Sequence, residues 1–526
     1  MPEIQRARPS RRDPLLTGRE RERVEAIARL AYCNPFTPER LSLERQALGD
    51  AFTPYDVVWH AQIDPGDNPN VPGLTEAAGE LAEALRERLA APRPPVVDRV
   101  ELELYRDLVL YLVYSRYQDR FFAALRTQES GGGQASFGFY RDFEADLGHF
   151  LDLPVLAAES ALDPAHLFAC CFQIRRAFHF TFRSILGGSP PAARLREQVW
   201  QSIFTHDLRR YQQALYRTLG DVTTLVTGPS GTGKELVARA IGYSRYIPFD
   251  PAGLKFRESW AKSFYPLNLS ALSPTLIESE LFGHRRGAFT GAIQDRTGWF
   301  EVCPPLGTVF LDEIGETDLA IQVKLLRVLE TRTFQRLGET QGRPFQGKVV
   351  AATNRDLARE MQAGRFRADL YYRLCSDLLV TPTLRERIAE SPEELSNLLL
   401  YLAQRTVGKE TEELAGEVAR EAESWIGEHL GPDYPWPGNV RELAQCVNNV
   451  LIRREYRPAS PGTAGVRERL AAEILAADLS AEEVLRRYCT LVYAKTGSYE
   501  EAGRRLGLDR RTVKSRVDLE LLGELG

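Results

Sequence analysis

The octapeptide Gly228-Pro229-Ser230-Gly231-Thr232-Gly233-Lys234-Glu235 constrains this chain more than any other stretch. A short apolar run, Thr223 to Thr227, precedes it and reads as a buried strand; Leu236 to Ile241 follows and reads as a helix. Strand, glycine loop and helix is the setting a phosphate-binding loop needs. Glycines let successive backbone N–H groups turn inward around phosphate oxygens, and the helix N-terminus adds partial positive charge. Lys234 is then placed to reach the β- and γ-phosphates. An ordinary glycine turn with a solvated lysine gives the same spelling, and Glu235 stands where such loops usually carry a Mg2+-binding Ser or Thr. The downstream sequence decides between the two.

Gly307-Thr308-Val309-Phe310-Leu311-Asp312-Glu313 is an apolar strand ending in two carboxylates, a Walker B pattern. Asp312 would hold Mg2+, directly or through water, and Glu313 would polarise the attacking water. Tyr265 to Leu269 reads as another strand, with Asn268 at its polar end, and Lys348 to Thr353 as a third, ending at Asn354. The Asn354 amide has the chemistry to contact a γ-phosphate or the water. Strands that each end in a polar group place those groups at one carboxyl edge, where α/β sheets bind ligands. Arg367 and Arg373 are either surface ion-pair partners or, in a ring, donors to a neighbour's γ-phosphate. After about residue 381 the chain turns helical, and Trp436-Pro437-Gly438-Asn439 opens a helix on which Arg441 would face the nucleotide from a lid. Between the second and third motifs, Gly287-Ala288-Phe289-Thr290-Gly291-Ala292 reads as a loop tip presenting Phe289 and Thr290, or as a plain hairpin turn.

A chain of 526 residues should hold about three or four domains. The net charge of −5 leaves any nucleic-acid contact to a local patch. One such patch lies near the C-terminus. Tyr499 to Asp509 reads as a short helix and turn, and Arg510-Arg511-Thr512-Val513-Lys514-Ser515-Arg516-Val517 as a second helix: a helix-turn-helix. Residues 495–516 carry seven bases against three acids, so double-stranded DNA is the expected partner, with Arg510, Arg511, Thr512, Lys514, Ser515 and Arg516 as contacts. The alternative is a charged face of a helical dimerisation module. The seven scattered cysteines form no C-x-x-C pair, which argues against a zinc site and suits a reducing cytoplasm. The Arg- and Pro-rich start is no signal peptide, and no apolar run approaches about 20 residues, so a cytoplasmic location without membrane contact is expected.

Residues 1–185 say least. The first 20 are expected to be disordered. Leu74–Leu89, Val100–Leu125 and Phe168–Leu186 read as helices, the second buried on all sides around Val109 to Tyr114. The aromatic stripe of the third (Phe172, Phe178, Phe180, Phe182) reads as core. No strand–helix alternation with an acidic cluster and distal lysine appears, so a phosphoacceptor receiver is not expected, and two-component-like signalling stays open. The expected layout is a multidomain chain: 1–185 a mostly helical regulatory region, 186–380 an α/β ATPase core, 381–456 a helical lid, 457–480 a linker, and 481–526 the DNA-binding module. Gln198 to Leu219 is expected as one helix.

Taken together, residues from about 187 to 455 resemble the AAA+ domain of the sigma-54-dependent transcriptional activators, the bacterial enhancer-binding proteins. The loop with Glu after the lysine resembles that family's form, and Gly-Ala-Phe-Thr-Gly-Ala at 287–292 is its signature, intact. The resemblance implies that this loop contacts sigma-54 and transmits the ATPase stroke. It implies that Asn268 is a switch asparagine restraining the catalytic glutamate. Asn354 would be sensor I, Arg367 and Arg373 the trans arginines, and Arg441 sensor II. It implies ATP and Mg2+ as cofactors, a ring, by resemblance a hexamer, and sigma-54 RNA polymerase holoenzyme as partner, with remodelling of a closed promoter complex as the output. The C-terminal module resembles a Fis-type helix-turn-helix. Pro229 where the family usually has Glu, Leu306 before the Walker B strand and Thr381-Pro382-Thr383 depart from the pattern. The rival readings are a DNA-bound regulator that binds nucleotide without mechanical work, and a general remodelling ATPase; the second has no use for the hexapeptide or the helix-turn-helix.

Overall fold

The computed structural model describes residues 14–55, 68–92, 94–95, 97–131, 137–156, 162–408, 411–458, 479–518 and 521–522. Residues 1–13 and most of the 457–480 linker lie outside these. The first helix already begins at Gly18, inside the stretch expected to be disordered. Thr17 closes a capping box there with Glu20, satisfying two backbone donors that a helix start leaves open.

The chain divides into two units, 1–447 and 448–526. In the first, helices α1 (Gly18–Leu30), α2 (Glu39–Leu48), α3 (Val71–Ala90), α4 (Arg99–Glu129), α5 (Tyr140–Leu151), α6 (Pro164–Ser184), α7 (Pro190–Phe204) and α8 (Leu208–Gln213) precede the α/β part. That part runs β1 (Thr224–Thr227), α9 (Lys234–Tyr243), β2 (Phe249–Asp250), β3 (Lys255–Phe256), β4 (Phe264–Asn268), α10 (Pro274–Phe282), α11 (Trp299–Val302), β5 (Thr308–Asp312), α12 (Leu319–Thr331), β6 (Thr333–Phe334), β7 (Arg343–Pro344), β8 (Lys348–Thr353), α13 (Leu357–Gln362), α14 (Ala368–Leu374) and β9 (Asp377–Val380). Helices α15 (Leu384–Glu390), α16 (Glu393–Val407), α17 (Glu412–His429) and α18 (Asn439–Arg453) follow. The single helix expected over 198–219 is broken. Thr205 takes a left-handed φ of 67°, its hydroxyl turns to the Asp207 carbonyl, and Asp207 then caps α8.

Five strands form a parallel sheet in the order β4-β5-β8-β1-β9. Its central strands are buried along most of their length, as expected for a sheet covered on both faces. Because every strand runs the same way, Gly228, Asn268, Asp312 and Asn354 all emerge at one edge.

The boundary expected at 185/186 is not a break in the packing. The hairpin β2–β3 that follows α9 carries Phe249 and Phe256 into the core of the helical region, against Phe168 (ring centroids 4.5 Å) and Phe137 (4.9 Å). Phe172 and Phe180 are buried, as the stripe predicted, while Phe178 and Phe182 are half-buried. The buried Arg176 of α6 donates to the carbonyls of Tyr243 and Arg245 (both 2.7 Å), placing a cation on the C-terminal end of α9. Among the described residues of 14–204 every regular element is helical, so no receiver-type sheet occurs there.

In the second unit, α19 (Ala481–Thr496), α20 (Tyr499–Leu506) and α21 (Arg510–Arg516) pack on Cys489, Ala502 and Val513. Gly507, at φ 67°, turns the chain after α20. No described helix is long and apolar enough to cross a membrane.

Candidate functional site: a phosphate loop, a carboxylate pair and a lid

The loop between β1 and α9 is shaped by contacts that only a glycine permits. A side chain at Gly231 (φ 78°) would strike the Gly438 carbonyl, with its Cβ 2.1 Å from that oxygen, and one at Gly228 (φ 144°) would strike the Thr381 hydroxyl. The loop is thus held from two sides. Thr381 donates from its backbone N–H (2.8 Å) and its hydroxyl (3.1 Å) to the Thr227 carbonyl, and its Oγ1 lies 2.7 Å from Thr232 Oγ1. The departure at Thr381-Pro382-Thr383 therefore supplies a brace for the loop. Thr232 Oγ1 also lies 2.8 Å from the Pro229 carbonyl, so Pro229 is accommodated within the turn.

Lys234 donates to the carbonyls of Gly228 (2.8 Å) and Pro229 (3.1 Å), which aims its ammonium over the loop. Burial lowers its pKa, opposed by the charges of Glu313 and Asp312. Glu235 leans the other way, pairing with Arg239 (2.7 Å) one turn along α9, and does not join the cradle.

Asn268 and Asp312 are register partners on β4 and β5. Burial raises the Asp312 carboxyl above its ordinary value, and the Glu313 charge adds to the shift. Glu313 sits at φ 55°, the left-handed region, so the chain turns directly after the strand. Its carboxylate accepts from the Asn354 backbone N–H (3.1 Å). The Asn268 Oδ1 is instead used by Ser270, from N–H (2.9 Å) and hydroxyl (2.8 Å). In this conformation the hydrogen bond on Glu313 thus comes from the Asn354 end of β8, and Asn268 lies on the neighbouring strand without engaging it.

The pieces fit a magnesium nucleotide. Two adjacent carboxylates, one raised by burial and by the other's charge, favour a divalent cation. Among the described residues no cluster of three or more His, Cys, Asp or Glu forms a closed metal cage, so phosphate oxygens and water would complete the shell. Arg441 donates to Ser230 Oγ (3.1 Å), which puts it against the loop from α18. Asn439 escaped the sequence reading as a site residue. Its amide donates to the Ser230 carbonyl (2.9 Å) while its Oδ1 accepts from the Leu384 N–H (2.8 Å), tying the phosphate loop to the start of α15. The available signal was an Asn directly after Pro437-Gly438, a residue type that tolerates the left-handed φ of 51° found there.

Arg367 stands at the N-cap of α14 and Arg373 in its last turn, and both pair with local carboxylates. Arg367 pairs with Asp369 (2.6 Å), and Arg373 with Glu330 (3.7 Å). Exposed pairs of this kind contribute only about 0–1 kcal/mol and are readily exchanged.

The 287–292 loop is a tight turn on a stalk. Gly287 N–H donates to the Ala292 carbonyl (2.8 Å), and Ala292 N–H to Phe289 (3.0 Å). Below it His284 exchanges backbone hydrogen bonds with Arg296, and Arg285 binds Asp295 (2.6 Å) and Glu339 (3.2 Å). Thr290 is exposed at the tip; Phe289 is half-buried against His284, centroids 4.9 Å apart, and so is less open than expected. Ile293, just past the hexapeptide, is 83% exposed, an apolar side chain the sequence reading passed over.

On α21, Arg510, Arg511, Lys514 and Ser515 are exposed. Arg510 lies 3.7 Å from Glu500, and Thr512 donates its hydroxyl to Asp509, the cap of its own helix. Ser515 donates to the Thr512 carbonyl (2.9 Å) and Arg516 is half-buried, so among the described residues Arg511 and Lys514 are the side chains left uncommitted.

Residues 203–379 match the model of the Sigma-54 interaction domain. The hydrogenase transcriptional regulatory protein HoxA of Bradyrhizobium diazoefficiens is 45% identical over 243 residues, 46% of this chain and 45% of its own length. The Nif-specific regulatory protein of Azotobacter vinelandii is 44% identical over 233 residues, 44% of this chain and 40% of its own. The transcriptional regulatory protein ZraR of Klebsiella oxytoca is 38% identical over 306 residues, 56% of this chain and 63% of its own. The chain thus spans between two fifths and two thirds of these curated relatives. Among solved structures, NtrX from Brucella abortus in complex with ATP aligns over 70% of this chain and 77% of its own, at 22% identity and a TM-score of 0.38. Residues 203–379 of this chain are thus a Sigma-54 interaction domain by similarity, alike to the corresponding part of these regulators.

Proposed function

We propose that this protein is an ATP-hydrolysing activator of sigma-54-dependent transcription that works in the cytoplasm. The observation that carries the reading is the meeting of Lys234, Asp312, Glu313, Asn354 and Arg441 around one end of the sheet, in a chain whose intact 287–292 loop stands on its own stalk. Residues 228–234 and the backbone N–H of Glu235 bind the triphosphate of ATP. A Mg2+ held by Asp312, directly or through water, would neutralise phosphate charge. Glu313 takes the proton of the attacking water, while Asn354 sets the carboxylate's position through its N–H. Arg367 and Arg373 exchange their weak local pairs for the phosphates of a neighbouring copy, which makes the site depend on a ring, a hexamer by resemblance. The lid contact of Arg441 on Ser230 reports nucleotide state to α18. The 287–292 loop presses on sigma-54 and remodels the closed complex of the holoenzyme, and α21 holds the protein on upstream DNA. The region 1–185 supplies control.

Thr290→Ala is expected to keep ATP turnover within about twofold while abolishing open-complex formation with sigma-54 holoenzyme on a supercoiled promoter, because Thr290 is exposed and remote from the nucleotide site. The full chain is the right material, since removing residues 1–185 strips Phe249, Phe256 and α9 of their packing. Open complexes formed at the wild-type rate by Thr290→Ala would overturn the output role of the loop. For DNA, Arg511→Ala and Lys514→Ala should each weaken binding and lower the slope of log K against log salt by about 1. Unchanged slopes in filter-binding titrations would move the contact to another face.

A further inference from the structure

A cavity of about 510 Å³ opens between the helical region and the ATPase core, at the sheet edge opposite the phosphate loop. Its position follows from Lys348, which opens β8, and from Gly220 and Leu306, which precede β1 and β5. Arg217, Arg245, Arg257 and Lys348 line it, with Gln173 and Tyr211, and no carboxylate is among the lining side chains. Lys348 is buried and Arg245 half-buried, and both hydrogen-bond to carbonyls. Lys348 donates to the Val222 carbonyl (2.6 Å), and Arg245 to the carbonyls of Pro305 (3.4 Å) and Gly307. The nearby carboxylates are engaged elsewhere: Asp377 accepts from Ser202 and Thr224, Asp221 pairs with Arg332, and Glu258 accepts from the Leu306 N–H, with its other oxygen unpartnered. Burial, with the like charge of Arg245, pushes Lys348 down to about 8, and burial also lowers Arg245. Asp377 and Asp221 act on Lys348, and Glu258 on Arg245, through charge alone and without a hydrogen bond to either cation, so an anion in the cavity that hydrogen-bonds them would offset the cost of their burial.

Gln173 supplies a second, independent sign. It is fully buried; its amide nitrogen donates to the Tyr211 hydroxyl (2.6 Å) and the Ser244 carbonyl (2.9 Å). The Ser244 carbonyl can only accept, so the amide orientation is fixed. Its Oε1 is then left without a hydrogen-bond partner and calls for a donor.

We propose that this cavity binds a small anion bearing a hydroxyl or amino donor, and that it is the effector site through which the helical region acts on the phosphate loop. The anion lies against Lys348, Arg245 and the rim arginines Arg217 and Arg257, and its donor meets Gln173. The route to the phosphate loop is short. Ser244, Arg245 and Tyr246 directly follow α9, whose first residue is Lys234, and α6 carries both Gln173 and the Arg176 that grips the end of α9. A ligand that shifts α6 against α9 therefore bears on the nucleotide site. This regulatory half rests on the ATP-hydrolysing reading; the binding half does not.

The test uses the full chain carrying Lys234→Ala, which removes the phosphate loop as a second anion site. Titration calorimetry with inorganic phosphate, glycerol 3-phosphate and glycerate should give saturable binding, with a hydroxylated ligand at least about threefold tighter than inorganic phosphate. The tighter of glycerol 3-phosphate and glycerate tells whether a phosphoryl or a carboxylate head is preferred. Adding Lys348→Met should weaken binding at least about tenfold, and Gln173→Leu should erase the advantage of the hydroxyl. Arg257→Gln, at the exposed rim, gives a folded variant with the same direction of change. No saturable binding of any of the three probes below about 20 mM, or binding indifferent to both cation variants, overturns the site. With Lys234 intact, the bound ligand should change ATP turnover at least about twofold; unchanged turnover with binding present overturns the effector role. Absence of turnover under every condition would instead refute the ATPase reading and leave the binding result standing.

Discussion

Glu313→Gln should bind ATP within a few-fold of the unaltered protein and hydrolyse it at least about a hundredfold more slowly. The amide is nearly isosteric and still offers an oxygen to the Asn354 N–H, now 3.1 Å from the carboxylate, so the turn after β5 keeps its shape. What is lost is the negative charge and the capacity to take a proton from water, contributions of about 10²–10⁴ in rate for a positioned general base. Binding rests on Lys234 and the 228–235 backbone, which the change does not touch. Steady-state phosphate release at saturating MgATP, beside a fluorescent-nucleotide titration, separates the two effects. Turnover within threefold of the unaltered protein would show that Glu313 is not the base. The raised Asp312 sharpens the design, because removing the neighbouring charge should also ease its deprotonation.

The second large effect lies away from the nucleotide. Glu394, fully buried on α16, accepts from the N–H groups of Gly188 (2.7 Å) and Ser189 (3.0 Å), from the Ser189 hydroxyl (2.8 Å) and from Arg387 Nε (2.7 Å). Arg387 also donates to the Leu186 carbonyl (2.5 Å), and Arg196 to the carbonyls of Ile185 (2.9 Å) and Gly187 (2.8 Å). The segment joining the helical region to the α/β part is therefore fastened to α15 and α16 by one buried ion-paired cluster. Glu394→Ala leaves the Arg387 charge and two backbone donors buried without partners, and should cost about 3–5 kcal/mol. Glu394→Gln keeps part of the hydrogen bonding and should cost less. Urea denaturation of the full chain checks both; a loss below about 1 kcal/mol for Glu394→Ala would mean that water or a rearranged segment satisfies Arg387.

Much of the candidate site was legible because its residues are local events at strand ends. Strand, loop, lysine and helix succeed one another within the span of β1 and α9, and Asp312, Glu313 and Asn354 each follow an apolar run directly. Parallel order then brings such ends together without further information. The groups that brace them were not legible. Thr381 and Asn439 reach the loop from about 150 and 210 residues away. Nothing in a spacing pattern tells which distant hydroxyl or amide will meet a given carbonyl.

The parallel α/β core with its glycine loop and carboxylate pair, the loop at 287–292 and the basic terminal helices follow from the order of residues alone, because each depends on residue type and short-range periodicity. Long-range packing alone shows that the helical region shares its aromatic core with α9 and the β2–β3 hairpin, that in this conformation Glu313 accepts from Asn354 while Asn268 accepts from Ser270, and that Gln173, Arg245 and Lys348 meet around a cavity. Those outcomes turn on which buried polar and apolar surfaces find one another across long stretches of chain, and free energy of that kind is set by packing and desolvation in three dimensions.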